Sequence, residues 1–171
     1  MKYQINIILL NETQVKCTLK NIDKMLQRMK SIGREAAIFA ADSEQSNLAK
    51  NIYLLGGLMS IFQGKIRLLI NEKVERGPLG NWMAIKLQYN IRTLAIINLY
   101  YLPTTSPNGN VCSLTQYNLK EGKAKSTNKY RKEIFAQIKS YLARNDDISD
   151  LIIAEDFNQS VALKEVQQFF S

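Results

Sequence analysis

Three polar side chains could do chemistry together: Glu12, Asp156 and Asn158. The apolar run Leu151-Ile152-Ile153-Ala154 delivers Asp156, and Asn158 follows two residues later. A second run of the same design, Ile5-Asn6-Ile7-Ile8-Leu9-Leu10, delivers Asn11-Glu12-Thr13. Two buried strands that each end in a carboxylate can form a divalent-metal site. Mg²⁺ takes oxygen ligands, one or two carboxylates together with water and substrate phosphate. It polarises a phosphodiester and makes bound water a better nucleophile. Strands hold such ligands more rigidly than loops do. Asn158 projects to the side of Asp156 if the backbone stays extended, and its amide could meet a phosphate oxygen or the attacking water. The same residues fit a plainer reading, with Glu12 as a solvated strand end and Asp156 as the cap of a turn or helix.

The remaining chemistry is bounded by what the chain lacks. Its 171 residues include no histidine, which excludes Ser-His-Asp and Cys-His catalysis and every His-ligated metal within them. Cys17 and Cys112 are far apart and lack CxxC spacing, so neither a disulfide framework nor a zinc ribbon is expected. A reducing, intracellular compartment follows, nucleus or cytoplasm. No apolar run approaches the roughly 20 residues a membrane span needs, and no membrane partner is expected. The formal charge of +8 favours a polyanionic partner, nucleic acid first. Coding bias toward Lys and Asn would produce the same charge. With 46% apolar and 22% charged residues the chain reads as globular, and its length suits one domain, 1–171.

The elements that must position the acids follow from periodicity. Ile5 to Leu10 is too short for a helix and reads as a buried strand. Thr18 to Ile32 carries Leu19, Ile22, Met25 or Leu26 and Met29 at helical spacing, with Gly33 as its C-cap. Glu35 to Ala41 and Tyr53 to Phe62 read as strands, the second with Gly56-Gly57 as a bulge or close approach. Lys65 to Ile70 reads as a strand, followed by a turn around Arg76 to Gly80. Trp82 to Leu87 and Thr93 to Tyr101 form a plausible hairpin, with Asn90 as its turn residue. Thr104 to Thr127 is a long irregular stretch with Lys120, Lys123 and Lys125. Asn128 to Arg144 is an amphipathic helix with Ile134, Ile138, Tyr141 and Leu142 on one face, capped by Ser126 or Thr127. Val161 to Phe170 begins another helix. Strands in the middle and helices near both ends point to layered α/β architecture.

Four segments resemble one known family. Asp156-Phe157-Asn158 resembles the Gly-Asp-Phe-Asn motif of the endonuclease/exonuclease/phosphatase superfamily. Leu10-Asn11-Glu12-Thr13 is similar to its metal-binding glutamate segment. Leu55 to Ile61 resembles its glycine-led strand, and Ile96 to Pro103 its strand ending in Tyr-x-Pro. They occur in family order. Within the superfamily, the endonuclease domains of non-LTR retrotransposons look most similar. The resemblance implies a two-layer β-sandwich flanked by helices and Mg²⁺- or Mn²⁺-dependent phosphodiester cleavage of DNA. It also implies site roles. Glu12 would bind the metal, Asp156 would activate or orient water, and Asn158 would contact the scissile phosphate. The site tyrosine falls on Tyr101 by its spacing to Pro103, or on Tyr100 with a one-residue shift.

This chain departs from the family pattern in several places. Glu155 stands where the family has glycine, adding a charge beside Asp156, and Asn11 stands where it has glutamine. A family strand with a site asparagine before the glutamate, and strands with an aspartate and a histidine after the Asp-Phe-Asn motif, have no counterpart here. The chain therefore reads as a truncated domain, incomplete at both ends and weak or inactive as a nuclease alone. A non-catalytic nucleic-acid-binding or structural module that keeps the fold is the competing expectation. A phosphatase of the same superfamily is a third. Protein partners and oligomeric state are not expressed in these patterns.

Overall fold

The computed structural model describes residues 5–11, 19–31, 35–41, 57–71, 73–78, 80–100 and 127–156. Seven strands and two α-helices are formed there: β1 (Ile7–Leu10), α1 (Leu19–Ser31), β2 (Ala36–Ala41), β3 (Leu58–Gln63), β4 (Glu75–Arg76), β5 (Trp82–Tyr89), β6 (Arg92–Tyr100), α2 (Thr127–Ala143) and β7 (Ile148–Asp156). They make two sheets. One has the antiparallel order β1-β3-β2; the other has the order β4-β5-β6-β7, with only the β6/β7 pair parallel. The α/β sandwich with flanking helices expected from the sequence is the architecture observed.

Strand alternation assigns every face. On β3, Leu58 and Phe62 point into the main core, while Met59 and Ile61 point outward. The outward pair, with Ile38, receives Ile22, Met25, Leu26 and Met29 of α1, the stripe read from the sequence. Lys20, Lys24 and Arg28 lie on the opposite, exposed face of that helix. On the second sheet, Met83, Ile85 and Leu87 of β5 pair with Asn98, Ile96 and Leu94 of β6. This set faces the first sheet. The alternate set, Trp82 with Leu99 and Ala84 with Ile97, faces α2, which buries Ile134, Ile138 and Tyr141 against it. The result is four layers, helix, sheet, sheet, helix, with apolar surface removed from water at three interfaces.

Two turns confirm local chemistry. Asn90 adopts φ 53°, the left-handed conformation that asparagine tolerates better than most residues, and it closes the β5–β6 hairpin at Tyr89↔Arg92. Gly77 lies so close to the indole that an added Cβ would sit 2.5 Å from Cδ1 and Nε1 of Trp82. Its amide donates to the Trp82 carbonyl at 2.9 Å, pinning the turn between β4 and β5.

One expected strand is a helix. Gly64–Leu69 forms a 3₁₀ helix, not the strand read from Lys65 to Ile70. Leu68 is 69% exposed while Ile66 and Leu69, three apart, pack on the core. Spacing of three is the 3₁₀ repeat, and Gly64 at φ 66° turns the chain out of β3 to start it. Gly57, at φ 90°, precedes β3 instead of bulging within it. Gly33, Tyr53 to Gly56, the Thr104 to Ser126 stretch and Val161 to Phe170 lie outside the described residues. No helix among the described residues is long and apolar enough to cross a membrane.

Candidate functional site

The strand ends that precede the predicted site residues meet at one end of the sandwich. β6 and β7 are parallel and finish together, with Tyr100 opposite Asp156 in the register. β1 finishes at the same end, because its last residues bond across the two sheets to β6. The side-chain amide of Asn11 donates to the Leu99 carbonyl at 3.3 Å. In the reverse direction, Asn98 Nδ2 donates to the Leu10 carbonyl, the Met59 carbonyl and Ser60 Oγ, each at 3.3 Å. Asn98 is 1% exposed, so these bonds form away from water. Two main-chain carbonyls around the nitrogen fix the amide orientation, because the reverse placement would set oxygen against oxygen.

Oδ1 of Asn11 and of Asn98 each has no donor among the described residues. The same holds for Oδ1 of Asn81, which leads into β5 and whose carbonyl accepts from the Tyr100 amide at 2.8 Å. A buried acceptor left without a donor costs about 1–3 kcal/mol. No distance brings the three oxygens together: Asn81 Oδ1 lies beside Gly77 in the turn between β4 and β5, whereas Asn11 follows β1 at the opposite flank. Among the described residues no group of three or more His, Cys, Asp and Glu is placed to hold a metal ion.

The predicted site residues divide as follows. Asp156 is the last residue of β7 and its backbone is described. Glu12, Tyr101 and Asn158 lie outside the described residues, one position beyond Asn11, one beyond Tyr100 and two beyond Asp156. Tyr100 is buried at 3% exposure within the core. Glu155 pairs with Leu99, which shares the α2 face with Trp82, so the residue in the family's glycine position is turned away from the first sheet.

Two residues at this end were not singled out from the sequence. Asn98 interrupts the apolar run Ile96-Ile97-Asn98-Leu99, and a polar residue inside a buried strand is a signal that could have found it. Arg131 lies in the first turns of α2 and is fully buried, although its neighbours Lys129 and Lys132 are exposed as a basic segment would be. α2 is positioned by Trp82, whose indole N–H donates to Gln137 Oε1 at 2.8 Å and whose ring meets Tyr141 at 6.0 Å between centroids. Arg131 is six residues N-terminal to Gln137, roughly 9 Å further toward the end where β6 and β7 finish.

At the other end the charges are structural. Lys86 Nζ and Asp147 Oδ1 pair at 2.6 Å, and the Lys86 hydrogen bond holds the Asp147 carboxyl below the usual carboxylate range. Burial, aided by the charges of Glu75 and Asp147, pushes the Tyr141 phenol up to about 12. A surface groove of about 610 Å³ runs between β4 and α2, lined by Trp82, Gln137 and the Glu75–Arg144 pair.

No protein-family model matches the chain, and no curated protein sequence matches it. Solved structures do. The chain is similar to NExo, a 3′ phosphatase from Neisseria solved with a product DNA hairpin, with TM-score 0.54 and 12% identity over 96% of this chain and 58% of that one. It is also similar to the human Nocturnin catalytic domain, solved with a sulfate anion, with TM-score 0.48 and 12% identity over 97% of this chain and 56% of that one. The endonuclease domain of TRAS1, a telomere-specific non-LTR retrotransposon, matches with TM-score 0.44 and 11% identity over 97% of this chain and 68% of that one. The chain thus spans somewhat over half the length of the first two. At this identity the likeness is one of fold, shared with NExo over 96% of this chain.

Proposed function

We propose that this chain carries the site of a divalent-metal phosphodiester hydrolase that acts on DNA. The observation that supports this most is the pair of bonds from Asn98 to the Leu10 carbonyl and from Asn11 to the Leu99 carbonyl. These bonds hold the strand leading to Glu12 against the strand leading to Tyr101. The register of Tyr100 with Asp156 adds the strand leading to Asn158.

In this reading Glu12 would hold Mg²⁺ or Mn²⁺, which take hard oxygen donors. The bound ion would polarise the phosphodiester and lower the pKa of water. Asp156 would activate or orient the attacking water. Asn158 donates its amide to a phosphate oxygen, and Tyr101 lines the site. The net charge of +8 draws the DNA backbone and makes binding sensitive to salt.

Nicking of supercoiled plasmid by the purified chain, with MgCl₂ or MnCl₂ and with EDTA as control, tests the assignment. The expected result is slow, metal-dependent nicking that falls about 100-fold or more in Asp156→Asn and in Glu12→Gln. Absence of nicking, with salt-sensitive DNA binding that Glu12→Gln leaves unchanged, would instead establish a non-catalytic binding module.

A further inference from the structure

The outer face of α1 carries its positive charge in a line. Lys20, Lys24 and Arg28 are spaced four residues apart and exposed, opposite the stripe that packs on the first sheet. Four residues advance about 6 Å along a helix, so the three cations form a row roughly 12 Å long. Asp23, the acid of this helix, precedes Lys24 by one residue and stands about 100° round the axis from it. Basic side chains on other elements are tied to acids: Arg67 to Glu35, Lys86 to Asp147, Arg92 to Asp150 and Arg144 to Glu75. Among the described residues, none of the three cations in the row forms an ion pair. The row also works against its own helix. Like charges four apart repel, and Lys20 in the first turn opposes the macrodipole, with no acid there to offset it. β1 and β2 are both antiparallel to β3, so α1, which joins them, returns along the outside of the sheet. The row therefore begins toward the end where β1 finishes and leads away from it.

We infer that this row is a track for the sugar-phosphate backbone of duplex DNA, outside the site at the strand ends. The inference deepens the function proposed above and rests on it for the choice of DNA. Spacing disfavours a small anion, because the cations stand about 6 Å apart along the helix and do not converge on one point. A duplex carries a phosphate charge about every 1.7 Å of its axis, so it meets the whole row at once. The other exposed residues of α1 are Asp23, Gln27, Lys30 and Ser31, so this face has no apolar side chain to enter a lipid surface. It also has no aromatic ring on which an unpaired base could stack, the device that single-strand binding uses. What is left is contact with phosphates, which positions a duplex without reading its sequence. DNA held at the strand ends thus continues along the outer layer of the sandwich. The row adds affinity there and takes no part in bond cleavage.

Fluorescence anisotropy with a labelled DNA duplex tests this, in EDTA and between about 50 and 200 mM NaCl. The chain carrying Lys20→Gln, Lys24→Gln and Arg28→Gln together is expected to bind about 10-fold more weakly or worse, with the slope of log affinity against log salt reduced by about 3. Glutamine matches lysine and arginine in helix propensity, so the circular dichroism spectrum is expected to be unchanged. Lys20→Arg, Lys24→Arg and Arg28→Lys together keep the charges and are expected to keep the affinity. Lys65→Gln, Lys73→Gln and Lys139→Gln remove the same charge from other exposed positions and are expected to leave the slope as it is. Equal loss of slope in the two glutamine variants overturns the inference, because net charge alone then accounts for binding. So does an unchanged slope in the row variant, a wild-type chain that does not bind duplex, or competition by poly-glutamate as strong as by duplex. Failure of the chain to nick plasmid would count against the proposed catalysis and leave this result standing, since binding is read without turnover.

Discussion

Asn98 on β6 donates its side-chain amide to the Leu10 carbonyl on β1 at 3.3 Å, across the interface between the two sheets. This joins two strands that are 88 residues apart in sequence and settles where the polar ends of both lie. The same amide reaches the Met59 carbonyl and Ser60 Oγ on β3, so one buried side chain fixes three strands.

Asn98→Ala leaves those acceptors without their side-chain donor in a buried position. A loss of about 1–3 kcal/mol in unfolding free energy is expected, read from urea denaturation. An unchanged midpoint would show that the inter-sheet ties are dispensable.

Gly77→Ala places a methyl group 2.5 Å from two atoms of the Trp82 indole. The indole is held on its other side by Gln137 and Tyr141, so it has little room to yield. Overpacking of this kind is expected to cost about 1–3 kcal/mol and to change the emission of Trp82, which is the single tryptophan of the chain. Wild-type stability and emission together would contradict the close approach.

Asp147 titrates below the usual carboxylate range in the folded protein, chiefly through its hydrogen bond from Lys86. A depressed folded pKa contributes stability above the ordinary carboxylate pKa, and that contribution disappears as pH falls through the folded value. Asp147→Asn is therefore expected to lower Tm at neutral pH and to bring the two melting profiles together in acid. Parallel profiles from pH 7 to pH 2 would remove Asp147 as a source of acid sensitivity.

Tyr141 is raised to about 12 by burial, with the Glu75 and Asp147 charges adding to the effect. The unfolded phenol ionises near 10, so between about 10 and 12 the unfolded state has lost a proton that the native state keeps. Stability is expected to fall across that window, and Tyr141→Phe is expected to reduce the slope. Absorbance titration at 295 nm should show a late phenol component that is missing in Tyr141→Phe. A titration that Tyr141→Phe leaves unchanged above pH 10 would contradict the placement of Tyr141.

Much of the architecture was written in local pattern. The apolar stripe at Ile22, Met25, Leu26 and Met29 specified a helix and its buried face, because helical geometry brings residues three and four apart together. Asn90 marked the hairpin, since few residues tolerate φ above zero. The run ending at Asp156 specified a strand and the position of its acid. Local pattern failed at Gly64–Leu69, where a short apolar segment satisfied both a two-residue and a three-residue repeat. Packing of Ile66 and Leu69 against a core made elsewhere in the chain decided between them.

What only the tertiary structure decided is which strand ends meet. Periodicity within a segment carries no information about the segment that will lie beside it. The parallel register of Tyr100 with Asp156 and the bonds of Asn98 and Asn11 across the two sheets join residues 56 and 88 positions apart. The sequence by itself determined the elements and the chemical types at their ends. The packing of two sheets, driven by apolar faces far apart in the chain, determined that those ends share one place.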